Sequence, residues 1–413
     1  MWGSTMTRLI LPVSMLAIGA PVVLLGQPPP IPMPLTYEAA LDLATSRNLA
    51  VEAARRQRAI REANLRTASQ FLNPDLSAES SRDTPHQAFS VGVPLELGGR
   101  RSRRISLARE ELSLADGDVQ FELRAVRRQV REAFYGLVAS DERVQLAEGA
   151  LEIARRLREI AQARFETGAA PRLEVLQADL GVARAETGLD LVRGLQTAGR
   201  ATLNAILNLP PQQATTVKGS LFDHTTAPAY EQALRLASTS NPDLAAFDRL
   251  VAVEQRRADL LRAERVPTPI FSVGAVLNAP GEFTAGPRVG VSVGLPLFSR
   301  NQGEIAASLA TTSLLRAERD ATERAVQNAV FGALARIDAE RRQIDAYQKR
   351  LVPTATELEA LSEESYRAGR TSVLGVLDAQ RTLRDISAEA LQAALDLQVS
   401  FAELEELLGT TLP

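Results

Sequence analysis

The longest uninterrupted helical pattern in the chain constrains its fold more than any other feature. No proline occurs from Leu95 to Ala170, and apolar residues recur there at spacings of three and four. At 1.5 Å per residue, a helix of roughly 65 residues is about 100 Å long, several times the length of an average globular helix. A compact domain cannot contain such a rod, so the sequence predicts an elongated molecule.

The chain is also internally duplicated. The segment Ser90–Leu95 (SVGVPL) returns as Ser292–Leu297 (SVGLPL), a shift of 292 − 90 = 202 residues, and matching stretches begin at Tyr37 and Tyr230. A shift near half of the 413 residues indicates two copies of one structural unit, too few for a solenoid. The predicted boundaries are a first repeat over residues 27–212, a linker over 213–228, a second repeat over 229–409 and a tail over 410–413.

Each copy has the pattern of a helix, two strands, a very long helix and a returning helix. In the first copy, the first helix is predicted from Thr36, a suitable N-cap, to Phe71. The returning helix, Leu173–Leu209, follows a corner at Gly168–Pro171, where glycine suits a left-handed C-cap and proline a helix start. Pro353 should kink or break the long helix of the second copy.

The two strands of each copy have unlike faces. Large apolar residues such as Phe89 and Val91 alternate with small residues such as Ser90 and Gly92, and the same alternation returns in the second copy. The strands are about ten residues long, as a tilted membrane strand requires. An ordinary half-buried sheet is the commoner source of such alternation, but the adjoining long helix favours membrane hairpins at 74–97 and 268–298.

The N-terminus carries the features of an export signal. Arg8 precedes an apolar run from Leu9 to Leu25, which predicts a secretory signal peptide over residues 1–26. The alternative is a transmembrane anchor, although two prolines and a glycine weaken a helix in this run. Either reading takes the chain out of the cytoplasm.

Composition argues against several functional classes. A net charge of −3 does not suggest a nucleic-acid partner. The two histidines, His86 and His224, lie far apart in sequence and there is no cysteine, so we expect no metal site and no cofactor. The sequence also lacks a glycine-rich phosphate loop, a nucleophile elbow and a histidine-containing triad, and we expect no enzyme.

Four membrane strands cannot form a closed barrel. An open edge in hydrocarbon leaves backbone groups unpaired at several kcal/mol each, and the smallest transmembrane barrels have about eight strands. The chain must therefore oligomerise: a trimer supplies 3 × 4 = 12 strands and 12 helical rods, and a dimer supplies eight of each. The small residues on the second strand face suit the wet lumen of the wider ring.

A cluster of arginines follows the first hairpin. We expect the membrane interface at the residues that flank the strands, namely Pro94, Arg100, Arg101, Arg103, Arg104 and Pro296. The arginines either bind lipid head groups or form a solvated first helical turn. Arginine near a helix N-terminus opposes the helix dipole, which favours a cause outside that helix.

Taken together, these features resemble the TolC-type outer-membrane efflux channels over essentially the whole mature chain. The resemblance depends on the duplication, on the strand ends Glu96–Arg101 (ELGGRR) and Pro296–Gly303 (PLFSRNQG), and on the corner sequences Leu173–Ala178 (LEVLQA) and Val373–Ala379 (VLGVLDA). The two strand ends are most similar to the branch that serves cobalt–zinc–cadmium and related cation efflux. Similar channels serve other substrates.

The resemblance implies a mainly α protein with a membrane β-barrel portion. It implies a homotrimer in which a 12-stranded barrel in outer-membrane lipid continues into a long α-helical barrel in the periplasm. Such a channel is a passive exit duct. A periplasmic adaptor protein links it to an inner-membrane pump, often of the resistance-nodulation-division type, and the pump supplies the energy.

The resemblance also implies two sites at the corners, which become the periplasmic tips. The expected adaptor contacts are Gly168, Leu173, Val175, Leu176, Gly369, Val373, Leu374, Val376 and Leu377. The alternative is that these residues pack neighbouring hairpins, which we expect for about half of them. The expected gate residues are Glu174, Tyr366, Arg370 and Asp378, with Gly375 at a position where an acid is common.

Three copies would place six carboxylates, from Glu174 and Asp378, around the pore, where they would attract cations. The alternative is that they are surface acids near a helix start, favoured by the dipole. Two other readings of the whole chain remain open from the sequence. One is a type I secretion exit channel with the same fold, and the other is an exported coiled-coil scaffold without a pore.

Overall fold

The computed structural model describes residues 34–83, 85–222, 226–279 and 283–412. The predicted signal peptide, residues 1–26, lies outside this part of the chain. Among the helices of the described residues, none combines the length and the apolar character needed to cross a membrane.

The same order of elements occurs twice. The first half contains α1 Tyr37–Arg47, α2 Leu49–Ser69, β1 Asp75–Ser80, β2 Gln87–Pro94, α3 Arg100–Glu166 and α4 Arg172–Ile206. The second half contains α5 Tyr230–Ser240, α6 Pro242–Ala263, β3 Pro269–Ala279, β4 Phe283–Val293, α7 Gln302–Ala346, a π-helical turn Tyr347–Leu351, α8 Val352–Arg367 and α9 Val373–Leu408. The internal duplication predicted from the sequence is therefore a duplication of structure.

The long proline-free segment forms one helix, as predicted. α3 has 67 residues, and it packs against α1, α2, α4, α6 and α9. Its counterpart in the second half is divided, because Pro353 lies in the first turn of α8 directly after the π turn. Proline has no N–H and clashes with the carbonyl four residues earlier, and a π turn accommodates that disruption without ending the helical path.

The prediction of a single helix over residues 36–71 is wrong. Thr36 is the N-cap as expected, but the helix breaks at Asn48, whose backbone is extended. The Asn48 side chain accepts a hydrogen bond from the Ala50 N–H and donates one from Nδ2 to the Ile206 carbonyl at 3.0 Å. Asparagine is a strong N-cap, so it starts a new helix although the apolar spacing continues through it.

The second half breaks at the matching place. Asn241 has the same extended backbone, caps α6 through the N–H groups of Asp243 and Leu244, and donates from Nδ2 to the Leu407 carbonyl at 2.9 Å. Each asparagine therefore fastens the break in one helix to the C-terminal end of the returning helix. The tie joins residues more than 150 positions apart, which local sequence patterns do not reveal.

The four strands form one antiparallel sheet in the order β1-β2-β3-β4, and the β2–β3 pairing joins the two repeats. Two strand bounds differ from the prediction. β2 ends at Pro94 rather than Leu97, because the chain turns through Gly98 and Gly99, both with positive φ, into α3. β4 ends at Val293 rather than near residue 298, the predicted end of the second hairpin.

The register places unlike residues on the two faces of the sheet. Leu76, Val91, Val273 and Val289 lie side by side across the four strands, and their side chains are exposed. The adjacent row on the opposite face consists of Ser77, Ser90, Gly274 and Arg288. A broad exposed apolar face is rare in a soluble protein and is what a lipid-facing sheet requires.

The helical core lies between α3, α9 and the short helix α1. Phe134 and Leu137 of α3 and Phe401 of α9 are fully buried, and Tyr37 of α1 meets the Phe134 ring edge-on at 5.8 Å between centroids. A second apolar cluster lies at the far end of the rods and consists of Leu157, Ala161, Val175, Ala178, Tyr366, Val373 and Val376. This cluster positions the candidate site.

Candidate functional site at the helical corners

Both corners between long helices have the same hydrogen-bonding pattern. At the first, the Gly168 N–H donates to the Phe165 carbonyl at 2.9 Å and the Ala169 N–H to the Arg164 carbonyl at 2.8 Å. At the second, the Gly369 N–H donates to the Tyr366 carbonyl at 3.0 Å and the Arg370 N–H to the Ser365 carbonyl at 2.8 Å. This is the Schellman motif, which requires a left-handed residue after the helix.

The two corner glycines supply that left-handed residue. The φ angles are +74° at Gly168 and +72° at Gly369. A side chain at either position would be strained by its own backbone. The sequence prediction of a left-handed C-cap at Gly168 is therefore confirmed.

The apolar residues predicted at the tips divide into two groups. Val175, Val373 and Val376 are buried in the end cluster, and Leu377 packs against its edge. Leu173, Leu176 and Leu374 instead expose 61%, 54% and 59% of their surface. The first group stabilises the corners within one chain, whereas the second group leaves apolar surface at the very end of the molecule.

Two of the predicted gate residues are in direct contact. The Tyr366 hydroxyl, at the end of α8, donates to Glu174 Oε2, at the start of α4, at 2.9 Å. Tyr366 is fully buried and Glu174 is half-buried, so the bond is partly shielded from competing water. The contact joins the α3–α4 hairpin to the α8–α9 hairpin.

A third residue, which the sequence did not reveal, completes this link. The Arg164 guanidinium of α3 donates from Nη1 to the Tyr366 carbonyl, and its central carbon lies 4.6 Å from the centroid of the Tyr366 ring. A cation over an aromatic face is attracted by the ring quadrupole. The sequence showed only a basic residue in the last turn of a helix, where the helix dipole favours a positive charge. Nothing else in the sequence marked this residue.

The protonation state of Tyr366 follows from its surroundings. Burial is the largest effect on Tyr366, followed by the hydrogen bond to Glu174 and its negative charge, and together they raise the pKa of Tyr366 to about 12. Arg164 acts in the opposite direction but is outweighed. The hydroxyl therefore remains a proton donor to the carboxylate at neutral pH.

The other two predicted gate residues lie outside this contact. Asp378 and Arg370 are exposed, and neither side chain has a hydrogen bond or an ion pair within the part of the chain that the structure describes. Asp378 lies on α9 and Arg370 in the corner before it. One chain thus brings together Glu174 and Tyr366 and leaves Arg370 and Asp378 facing outward.

The arginines after the first hairpin have partners inside the chain, which neither sequence alternative included. Arg104 binds both carboxylate oxygens of Glu96 and also donates to the carbonyls of Ala68 and Gln70. Arg101 donates to the Ser69 carbonyl, and its guanidinium lies 4.3 Å from the centroid of the Phe71 ring. These carbonyls end α2, the helix that leads into β1.

The remaining two arginines bind the equivalent helix of the second repeat. Arg100 donates to the Glu264 carbonyl at 3.0 Å and to Thr268 Oγ1 at 2.7 Å, and Arg103 pairs with Asp259 at 3.3 Å. The C-terminal end of a helix carries partial negative charge and unpaired carbonyls, which cations satisfy. The unfavourable dipole of α3 itself is thereby offset by the dipoles of α2 and α6.

The two predicted interface prolines lie where strand pairing stops. Pro94 is the last residue of β2 and faces Ile270, while Pro296 lies beyond the end of β4 and accepts a hydrogen bond from Arg300 Nε at 3.2 Å. Proline cannot donate to a ladder, so it suits a strand end.

The fold defines a class: an internally duplicated chain with a four-stranded, open-edged sheet at one end and long helical hairpins leading to two tight corners. Residues 39–209 match the protein family described as "Outer membrane efflux protein", and residues 233–410 match it again. The chain belongs to this family, and the two matched segments correspond to the two structural repeats.

Individual relatives agree with this assignment. The chain is 28% identical to the cobalt-zinc-cadmium resistance protein CzcC of Cupriavidus metallidurans, over 85% of this chain and 84% of that protein. It is 25% identical to the pyoverdine export outer membrane protein OpmQ of Pseudomonas putida, over 79% and 70%. It is also 25% identical to the alkaline protease secretion protein AprF of Pseudomonas aeruginosa, over 68% and 60%.

Solved structures show the same fold. A structure of CusC, described in terms of folding and transmembrane channel formation, has a TM-score of 0.74 at 18% identity and covers 91% of this chain and 92% of its own. The outer-membrane channel OprN has a TM-score of 0.74 at 16% identity, over 90% and 89%.

The protein is therefore an outer-membrane efflux channel, a passive exit duct with most of its chain in the periplasm. Its fold class is the predicted one, a trimeric 12-stranded β-barrel continuous with a long α-helical barrel. Members of the family are channel proteins of efflux systems, form trimers and work with an adaptor and an inner-membrane pump. The pore-forming reading is confirmed over the scaffold without a pore.

Proposed function

We propose that a homotrimer of this chain is the exit duct for divalent heavy-metal cations. A resistance-nodulation-division or related inner-membrane pump would deliver the cations through a periplasmic adaptor. The observation that carries the proposal is the similarity to CzcC, a cobalt-zinc-cadmium resistance protein, over 85% of this chain. The nickel-cobalt-cadmium resistance protein NccC, 26% identical over 61% of this chain, supports the same substrate class.

A second candidate is a type I secretion exit channel. It is favoured by the similarity to AprF, whose name describes secretion of an alkaline protease. The two candidates share a fold and differ in cargo, so they predict the same pore and different partners.

A passive duct needs no selective metal site. Within the described ranges, no group of three or more histidine, cysteine or acidic side chains is placed to hold a metal ion. In this proposal the cation specificity belongs to the pump, and the duct contributes only its electrostatic potential.

We propose that the bond between Tyr366 and Glu174, together with Arg164, holds the periplasmic end closed. It joins the two hairpins of one chain, and it must break if the hairpins are to separate. Asp378 and Arg370 would face the mouth of the assembled tunnel. Three copies of Glu174 and Asp378 would make six carboxylates there, which favour the entry of cations.

The exposed corner leucines are the proposed adaptor contacts. Leu173, Leu176 and Leu374 expose apolar surface at the end of the molecule, as docking of a helical hairpin requires. Gly168 and Gly369 set the turns that present them, and the buried valines with Leu377 support the turns from within. Of the predicted tip residues, the three exposed leucines thus fit adaptor docking, and the buried valines with Leu377 fit packing between hairpins.

The membrane interface is proposed at the strand ends. The apolar face of the sheet would contact outer-membrane lipid, and Pro94, Pro296 and the four arginines would lie at its periplasmic boundary. The arginine stems also reach this boundary, although their guanidinium groups bind helix ends. We further propose cleavage of residues 1–26 and the repeat boundaries 27–212 and 229–409, with the linker and tail at 213–228 and 410–413.

The experiment that tests the function has two parts. Purified protein is reconstituted into planar bilayers, where stepwise conductance is expected. A host lacking its own channel is then given this chain with a cognate adaptor and pump, and growth is followed in Co²⁺, Zn²⁺ and Cd²⁺. Restored growth supports cation export, whereas conductance without restored growth but with a secreted protein supports the second candidate. Absence of conductance would overturn both.

A further inference from the structure

The sheet of a single chain has two unpaired edges, β1 and β4. Backbone N–H and C=O groups along these edges need partners, and hydrocarbon supplies none. The three antiparallel pairings alternate strand direction, so β1 and β4 run in opposite directions. A second copy can therefore continue the sheet by placing its β1 antiparallel to the β4 of the first.

The charges of the sheet lie only at these edges. β1 contains Asp75 and Glu79, β4 contains Arg288, and the two inner strands contain no charged residue. One edge is therefore acidic and the other basic. All three side chains are exposed, and none has an ion pair within the described part of the chain.

The three charges also share a face. Asp75 pairs with Gly92 and Glu79 with Ala88, which places both acids on the face of small residues. Arg288 pairs with Gly274, which pairs in turn with Ser90 on that same face. The opposite face is apolar, so the charges lie on the lumen side of the sheet in the proposed barrel.

We propose that Arg288 of one copy forms an ion pair with the β1 acids of the next copy, and that this pair stabilises the junction at which the barrel closes. The proposal rests on the homotrimer proposed above. Within one copy, Arg288 lies in the row of Ser77, and Asp75 and Glu79 flank Ser77 two residues to either side. Strand tilt in a barrel shifts the register where one copy meets the next, and a shift of about two to four residues in either direction brings one of these acids opposite or diagonal to Arg288. A diagonal neighbour across two strands is about 7–8 Å away, within reach of an arginine.

The charge pair matters because side-chain packing contributes little where two copies meet. A slip by one residue would turn the apolar face into the lumen and is strongly opposed. A slip by two residues keeps that face outward, and the residues around Arg288 include Gly286, Pro287 and Gly290, which offer little side-chain packing. Because Asp75 and Glu79 are four residues apart, Arg288 stays within reach of one of them after such a slip, so the pair stabilises the junction in more than one register.

The first test reverses the charge. Arg288→Glu should lower the trimer fraction in detergent about threefold per interface, because like charges then meet across the junction. Combining Arg288→Glu with Asp75→Arg and Glu79→Arg should restore the trimer. The matched control is Arg82→Glu, the same charge change in the β1–β2 link, which should leave the trimer fraction unchanged.

Salt provides a further readout with a charge-neutralising variant, Arg288→Gln. Since the lumen is wet, the difference between wild type and Arg288→Gln should shrink as ionic strength rises from about 0.05 M to about 1 M. A purely structural defect in β4 would persist at high salt and would overturn the electrostatic role.

The second test is crosslinking, which the absence of native cysteine makes clean. Arg288→Cys is combined in turn with Asp75→Cys, Ser77→Cys and Glu79→Cys, and disulfides are formed in the assembled protein. Covalent dimers and trimers are expected, and the pair that reacts fastest reports the register. The single-cysteine variants are controls and should stay monomeric under denaturing conditions.

The outcomes separate this inference from the proposed function. Wild-type protein that neither trimerises nor conducts would remove the proposed function. A conducting wild-type trimer without covalent products from any pair would overturn the inference alone. Crosslinking with no effect of charge reversal would also overturn it, because the strands would then meet without stabilisation by the charge pair.

Discussion

In the first repeat α3 runs unbroken from Arg100 to Glu166, whereas in the second repeat the π turn Tyr347–Leu351 divides the corresponding rod. The residues before these rods also differ, since Gly99 precedes α3 and Asn301 precedes α7, both with left-handed backbone. Despite this, the two repeats break and turn at matching places. A few backbone positions therefore maintain the common path while the side chains between them diverge.

The two corners share a backbone turn but differ in the side chains that join the hairpins. The second repeat contributes Tyr366, and the first contributes Arg164 and Glu174, which hold it. The position that matches Tyr366 in the first repeat is occupied by Phe165, which has no hydroxyl and is 41% exposed. The link between the hairpins is thus made once per chain, between Tyr366 of the second repeat and Arg164 and Glu174 of the first.

An aromatic pair near the middle of the rods makes an edge-on contact in both repeats but differs in burial. Tyr37 meets Phe134 edge-on at 5.8 Å, and Tyr230 meets Phe331 edge-on at 5.7 Å. Phe134 is fully buried, whereas Phe331 is 63% exposed. The same local geometry therefore contributes to a core in one repeat and to a surface in the other.

The largest expected effect concerns this pair. Phe134→Ala should lower the free energy of unfolding by about 3–5 kcal/mol, because it leaves a cavity in the helical core. Phe331→Ala should cost less than about 1 kcal/mol, since its ring is mostly exposed. Both are measured by loss of helical circular dichroism on heating. A large loss in Phe331→Ala would show that a neighbouring copy covers that ring.

The next effect concerns the link at the corners. Tyr366→Phe removes a hydrogen bond to a carboxylate, which is worth about 2 kcal/mol, so the open-to-closed ratio should rise roughly thirtyfold for each link that must break. Single-channel recording measures this ratio. Phe165→Tyr, the matched change in the first repeat, should leave it unaltered. Equal gating in wild type and Tyr366→Phe would remove the gate proposal and leave the channel intact.

The two corner glycines should respond alike to substitution by alanine. Gly168→Ala and Gly369→Ala each place a side chain at a positive φ with open space around it, so each should destabilise its corner by about 1 kcal/mol. Hydrogen exchange of the adjacent helix ends measures the local stability. A much larger effect at one corner would mean that the two turns are not equivalent in the assembled protein.

The effect expected to be smallest near neutral pH is a pH dependence of the bond between Tyr366 and Glu174. The pKa of Tyr366 is raised to about 12 from an ordinary value of 10, so the stabilisation by its hydroxyl is fully present below pH 10. It is lost as pH rises through about 12. The difference in opening between wild type and Tyr366→Phe should therefore shrink over this range. Tyr37, whose pKa is also raised to about 12, is present in both proteins and cancels.

Much of the fold was predictable because its signals are local. The length of α3 follows from the absence of proline, the strand faces from alternation, and the corners from Gly168 and Gly369. The contact between Tyr366 and Glu174 was predicted only as a shared location, through resemblance. The helix breaks at Asn48 and Asn241 were missed, because the bonds that fix them reach helices far along the chain.

The sequence by itself determined the duplication, the rods, the two-faced strands and the need for several copies, since helical periodicity, strand alternation and the cost of an open edge in lipid are readable along a chain. The tertiary structure decided which partners the arginines of α3 bind, that Arg164 holds Tyr366, and that the sheet is acidic at one edge and basic at the other. The physical reason is distance in sequence: these contacts depend on which elements become neighbours, and that follows from packing and strand register.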